Sequence, residues 1–215
     1  MRRRILQIGL AALILIPILT VGYFTVFFQL ARVPTASMAN TIIPGDQVLI
    51  KTRAFGEVRR GDVILFKYPN DYSTNYVSRV VGLPSETIQM NGRRVYVNGR
   101  ELPEQRVFVR NAQTLQPEAL EEVSVEGGGD YRVFHSEVES VDSETPYATR
   151  EPFQIPQDCY FVLGDNRENS YDSRFRGAIF RNAVIGKTIL IYWSSGSDIT
   201  GNESVRWERI FARIR

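Results

Sequence analysis

Cysteine and histidine are almost missing, with Cys159 and His135 standing alone in 215 residues. A single cysteine closes no internal disulfide, and one His with one Cys does not build an ordinary structural zinc site. No metal and no cofactor is expected. A Ser-His triad has only His135 to recruit, and that residue lies in a polar, acidic stretch with no catalytic pattern around it. Lysine is scarce too, limited to Lys51, Lys67 and Lys187 among 26 basic residues. The scarcity matters because a buried lysine gives up its proton far more readily than arginine does. Neither sign of charge dominates, 26 basic against 24 acidic, and nothing in that balance argues for nucleic acid.

Charge is absent altogether from Ile5 to Ala31, a run of 27 positions. As a helix this run is about 40 Å long, against a hydrocarbon core of roughly 30 Å. Met1-Arg2-Arg3-Arg4 places positive charge before it, so residues 1–4 are expected in the cytoplasm and the body beyond the bilayer. Pro17 suits a kink, and Tyr23, Phe24, Phe27 and Phe28 suit the far interface. A cleaved signal peptide has an apolar core of about 7 to 15 residues followed by small residues. This run is longer and leads into Arg32-Val33-Pro34, so residues 5–31 read as an uncleaved anchor.

Beyond it the pattern turns to short strands. Gln47–Lys51, Val63–Phe66, Tyr76–Gly82, Val95–Val97, Cys159–Leu163 and Val184–Tyr192 are rich in β-branched and aromatic residues. Asn91-Gly92 and Asn98-Gly99 are tight-turn signals on either side of Val95–Val97, which predicts a small meander. The body is mainly β. Residues 104–157 differ, with 11 acidic residues against Arg106, Arg110, Arg132 and Arg150, and a Gly127-Gly128-Gly129 break. They read as an inserted subdomain or as a long solvated loop. In the tail, Trp207, Ile210, Phe211 and Ile214 fall at helical spacing, which predicts an amphipathic helix packed on the body or on a membrane surface.

Ser37, in "PTASM", is by itself an ordinary loop serine. Three further stretches follow in order: "RRGDVILFKYP" at 59–69, "NYVSRVVGLPSETI" at 75–88 and "GDNRENSYDSRFRG" at 164–177. The last crowds Asp165, Asn166, Arg167, Asn169, Ser170, Asp172, Ser173 and Arg174 between two strands, a composition that suits a hydrogen-bonded support shell. Together with the apolar N-terminus, these motifs resemble the bacterial type I signal peptidases, the membrane-bound leader peptidases. The resemblance runs over nearly the whole chain and is weakest in the acidic insertion.

That resemblance implies an N-terminal transmembrane helix followed by an antiparallel β-sheet or partial-barrel catalytic domain. The domain, residues 32–103 and 157–215, would carry a smaller β-rich subdomain at 104–156 and lie outside the cytoplasmic membrane. It implies removal of signal peptides from exported preproteins after small-x-small sites, with preproteins and the lipid bilayer as partners. By the same resemblance Ser37 is the nucleophile, and Thr35 with the Ser37 N–H forms the oxyanion hole. Ser170 orients the general base, and Asp172 and Arg174 give support. An extended substrate is expected to add a strand beside residues 34–37 and 75–77, with Met38, Ile42, Tyr76 and Val77 touching its small side chains.

One position departs from the family. Its general-base lysine stands immediately before the Arg of the "RVVGLP" segment, where this chain has Ser78. An alcohol has no useful basicity near neutral pH, and losing a positioned base costs on the order of 10²- to 10⁴-fold. Several outcomes follow. Lys51, Lys67 or Lys187 reaches the site, or Asp172 acts through water although Arg174 is its apparent partner. Otherwise the chain is an impaired peptidase, by engineering or by natural divergence, or an inactive relative that binds extended peptides as a chaperone or assembly factor.

Overall fold

The computed structural model describes residues 2–39, 41–68, 71–109, 119–124, 131–136, 145–148, 151–197 and 203–214. In chain order the elements are helix α1 (Arg2–Phe27), β1 (Phe28–Arg32), β2 (Asp46–Lys51), β3 (Val63–Tyr68) and β4 (Asp71–Gly82). Next come β5 (Thr87–Asn91), β6 (Arg94–Val97), β7 (Arg100–Glu101), β8 (Gln105–Val109), β9 (Ala119–Ser124) and β10 (Arg132–Ser136). The remainder is β11 (Phe153–Gln154), β12 (Cys159–Leu163), the one-turn α2 (Ser173–Arg176), β13 (Ile179–Phe180), β14 (Val184–Ser197) and β15 (Glu203–Val205).

The main sheet runs β1-β2-β14-β3-β4-β12-β13, with β15 added along β14. Its pairings are antiparallel. Strand β2 alternates inward Val48 and Ile50 with half-buried neighbours, the signature of a sheet with one face on a core. Strand β12 is buried at every position, as a strand covered on both faces must be. One apolar layer joins Val33, Met38, Ile42, Val48, Ile50, Val63, Leu65 and Ile191. The opposite side of β3, β4 and β12 packs Ile64, Phe66, Val80, Tyr160 and Val162.

Two smaller sheets flank this one. The meander β5-β6-β7 is closed by two-residue turns, and Asn98 (φ 50) and Gly99 (φ 75) have the paired positive φ of a type I′ turn. Strand β11 extends it beside β5. Strands β8, β9 and β10 form a separate sheet, in which β10 runs parallel to β8. The acidic range is thus divided, its first part in the β8-β10 sheet and its end, at β11, in the meander. Arg110, Arg150 and the Gly127-Gly128-Gly129 break lie outside the described residues.

The tail is not the expected amphipathic helix. After a single 3₁₀ turn at Trp207–Arg209 it runs extended along β14. Backbone bonds link Ile191 to Ala212, Phe211 to Ile191 and Ile214 to Ile189. The open edge of β14 satisfies the tail's backbone groups, and Arg209 anchors it by a 2.6 Å ion pair to the fully buried Asp46. This pairing overrides the helical spacing of the apolar residues. Among the described residues no helix is long and apolar enough to cross a membrane; the described side chains of α1 begin at Leu13.

Candidate active site

Ser37 lies in the turn between β1 and β2 and lines a groove of about 760 Å³. Thr35, Tyr76, Val77, Ser78 and Ser170 line the same groove, so residues distant in sequence share one space. Ser37 is half-buried and reachable from the groove. Its Oγ lies 3.2 Å from Thr35 Oγ1. The turn is closed behind it by hydrogen bonds from Ala39 N to the Ala36 carbonyl and from Ile42 N to the Met38 carbonyl.

That helical turn sends Met38 and Ile42 inward. Both are 0% exposed in the apolar layer beneath the sheet, with Val77 packed against that layer. The groove wall is therefore made by Tyr76 and Val77, while Met38 and Ile42 lie behind it. Tyr76 is braced by a 2.7 Å hydrogen bond to Asp71, which raises the phenol's pKa. The Arg176 guanidinium stacks 4.9 Å from its ring and 5.0 Å from that of Tyr171, another lining residue.

The stretch 164–174 forms a closed hydrogen-bonded unit. Asp172 caps α2 by accepting from Arg174 N, receives the Gly164 N–H at 2.9 Å and pairs with the Arg174 guanidinium at 2.8 Å. Arg174 also donates to the carbonyls of Arg167 and Ser170, which ties the segment bearing Ser170 to α2. Asp172 is 1% exposed, fully engaged and not part of the groove lining.

Ser78 is 6% exposed, on β4 opposite Ile64 of β3. Among the described residues none of the three lysines lines the groove. Lys187 pairs with Asp62 at 2.7 Å, and Lys51 sits on β2 across from Lys187. Lys67 is on β3 outside the lining. The ionisable side chains that do line it are Arg32, Tyr76, Glu168 and Tyr171.

Sequence reasoning missed the residues that hold this unit from β4 and from the insertion side. Arg79, beside Ser78, is 0% exposed and clasps Asp165 through Nε at 2.7 Å and Nη2 at 2.5 Å. Its guanidinium lies 4.0 Å over the Tyr131 ring. Tyr131 donates to Glu104, and the Glu104 carboxylate is paired with the buried Arg167 through two bonds. Strand β10 adds a bond from Phe134 N to the Asp165 carbonyl at 2.7 Å. His135, buried and stacked on Phe108, meets Glu168 through Nδ1 at 3.0 Å, and Ser136 N donates to the same carboxylate. Burial pushes the His135 pKa down. Burial alone would raise Glu168, but its hydrogen bond to His135, that charge pairing and the Ser136 N–H bring it below its usual value, so it is a poor base. The local signal for Glu168 was its place in "GDNRENS"; nothing local marked its partners more than 30 residues away.

Residues 2–193 match the family model described as "Signal peptidase, peptidase S26". Signal peptidase I of Leptolyngbya laminosa is 30% identical over 195 residues, which cover 86% of this chain and 78% of that one. Signal peptidase I of Rickettsia canadensis (strain McKiel) is 28% identical over 221 residues, covering 85% and 83%. A solved signal peptidase I from Enterococcus faecalis V583 is 25% identical and covers 62% of this chain and 98% of that one, at a TM-score of 0.39.

Proposed function

The chain belongs to the signal peptidase family, peptidase S26, and on that footing we propose that it is a membrane-anchored serine endopeptidase. It removes N-terminal signal peptides from exported preproteins after small-x-small sites. The observation that carries this reading is the shared groove, lined by the reachable Ser37 with its neighbour Thr35 and by Tyr76, Val77 and Ser78 of β4. An extended chain fits between residues 34–37 and 75–77, because β12 pairs with β4 from Arg79 onward and leaves the earlier part of β4 facing the groove. Ser37 Oγ adds to the scissile carbonyl and loses its proton to solvent, since no lysine lines the groove among the described residues. The Ser37 N–H and the Thr35 hydroxyl donate to the oxyanion, and collapse of the adduct breaks the C–N bond and releases the mature chain as a protonated amine. One such donor is worth about 2.7 to 4 kcal/mol.

Helix α1 is the single-pass anchor in the cytoplasmic membrane, with the β domain on its outer side. In support, the apolar side chains from Leu13 to Val26 stand 46% to 71% exposed around the helix. Anchoring there raises the effective concentration of preproteins tethered to the same bilayer. Residues 32–103 and 157–215 are the catalytic domain, and 104–156 the insertion.

The groove contains no lysine among the described residues, and this observation favours a second reading: a relative that binds extended peptides without cutting them. One experiment separates the two. Detergent-solubilised protein is incubated with a preprotein bearing an Ala-x-Ala site. A discrete mature product that disappears in Ser37→Ala supports the peptidase. Retained peptide binding with no product supports the binder.

A further inference from the structure

We propose that Asn166 is a positioning residue that aims the Ser37 N–H into the groove by pinning the peptide on which that N–H sits. The inference rests on the serine peptidase reading above and extends it to a residue behind the site. Asn166 is 1% exposed and is not a lining residue of the groove. Its Nδ2 donates to the Ala36 carbonyl at 3.1 Å, and its own backbone N–H donates to the Ser37 carbonyl at 3.1 Å. Ala36 C=O and Ser37 N–H belong to one peptide plane, and in a trans peptide they point in opposite directions. A carbonyl drawn back toward Asn166 therefore turns the Ser37 N–H away from Asn166, toward the groove that Ser37 lines. Among the described residues that N–H makes no hydrogen bond.

The Ala39 N–H also reaches the Ala36 carbonyl, at 3.0 Å. Two donors therefore hold this one carbonyl, Ala39 from within the turn and the Asn166 amide from a separate segment of the chain. Asn166 itself has little freedom. It bridges to Phe134 of β10, and the preceding Asp165 is held by Arg79, by Thr41 at 2.5 Å and by the Phe134 N–H. The insertion strand thus supports the peptide plane of the nucleophile through one amide side chain.

The test compares two peptides of one sequence, ending in Ala-x-Ala as a boronic acid or as an unreactive carboxamide. The Ser37 oxygen adds to trigonal boron, its proton passes to solvent, and one boronate oxygen takes the oxyanion position; no general base is needed at equilibrium. In the unsubstituted protein the boronate binds more tightly than the amide, and Ser37→Ala removes the difference. If no difference exists to begin with, the serine peptidase reading falls, and with it this extension. Given the difference, Asn166→Asp, isosteric but without the Nδ2 donor, weakens the boronate by about 10-fold or more and the amide by less than about 2-fold, a fraction of what an oxyanion donor is worth. Equal weakening of both ligands, or of neither, overturns the assignment while leaving the peptidase reading standing. Thermal unfolding checks the variant, and Asn166→Ser, too short to reach the Ala36 carbonyl, carries the same comparison if Asn166→Asp does not fold.

Discussion

Ser170 packs against the backbone of Ser37 with only the bare α-carbon of Gly164 between them. A Cβ at Gly164 would lie 2.2 Å from Ser170 Oγ and 2.5 Å from the Ser37 carbonyl oxygen. Neither contact is tolerable, and the second is with backbone. Gly164→Ala therefore forces the two serines apart. We expect a stability loss of about 1 to 3 kcal/mol, the usual cost of overpacking, and a larger proportional loss in boronate affinity than in amide affinity. Denaturant unfolding and the paired-peptide titration measure the two effects. An Ala variant as stable and as tight-binding as the parent would mean that this close approach has no part in the site.

Ser78→Lys restores an amine to the groove wall. The position is 6% exposed, and the neighbouring Arg79 is directed away into its pair with Asp165. Burial lowers an ammonium pKa, here by roughly 3 units from about 10.4 for a working base. Cleavage of an Ala-x-Ala preprotein is expected to rise on the order of 10²- to 10⁴-fold, with a rate that climbs with pH as the amine deprotonates. No gain in a folded variant would favour the binding-only reading.

Glu104→Gln leaves the buried Arg167 without its counter-charge. Glu104 is 0% and Arg167 2% exposed, and water cannot replace the lost carboxylate. Breaking one partner of such a pair costs about 3 to 5 kcal/mol. Chemical denaturation reads the loss. A change under about 1 kcal/mol, in the range of an exposed pair, would show that the insertion does not hold the 164–174 unit in this way.

His135 supplies a pH dependence. Its folded pKa is lowered, first by burial, so the unfolded chain binds the proton more tightly. Stability is then fully present above the ordinary value of 6.5 and declines as pH falls below it. Glu168, also lowered, adds a second loss only below the ordinary carboxylate value of 4.5. The charges around the ring are Glu168 at Nδ1, Arg93 at 3.9 Å from that carboxylate, and the Glu104–Arg167 pair. Unfolding midpoints between pH 8 and 5 are expected to fall for the parent and stay flatter for His135→Gln. Matching profiles would remove His135 from the account.

How much of this was legible depends on the range over which each signal acts. The β12 segment Cys159–Leu163 and the Asn98-Gly99 turn were readable because a run of β-branched and aromatic residues, and an Asn-Gly pair that tolerates positive φ, are properties of neighbouring residues. The order of the motifs named the segments that meet in the groove. The tail misled because its apolar spacing suits a helix, while its partner, the open edge of β14, is a property of the folded sheet. The supporting roles of Tyr131, Glu104 and His135 stayed hidden for the same reason: each is defined by a charge or ring that only the finished fold brings close.

Helix α1 ends at Phe27 and β1 begins at Phe28, with the Phe27 carbonyl tied to Thr52 N at 2.9 Å. No hinge separates the two. If α1 is the anchor proposed above, the five residues of β1 act as a rigid ruler of about 17 Å, so tilting the helix must swing the groove with it. In an anchored peptidase of the kind proposed, bilayer thickness would then bear on which bond of a tethered chain reaches Ser37.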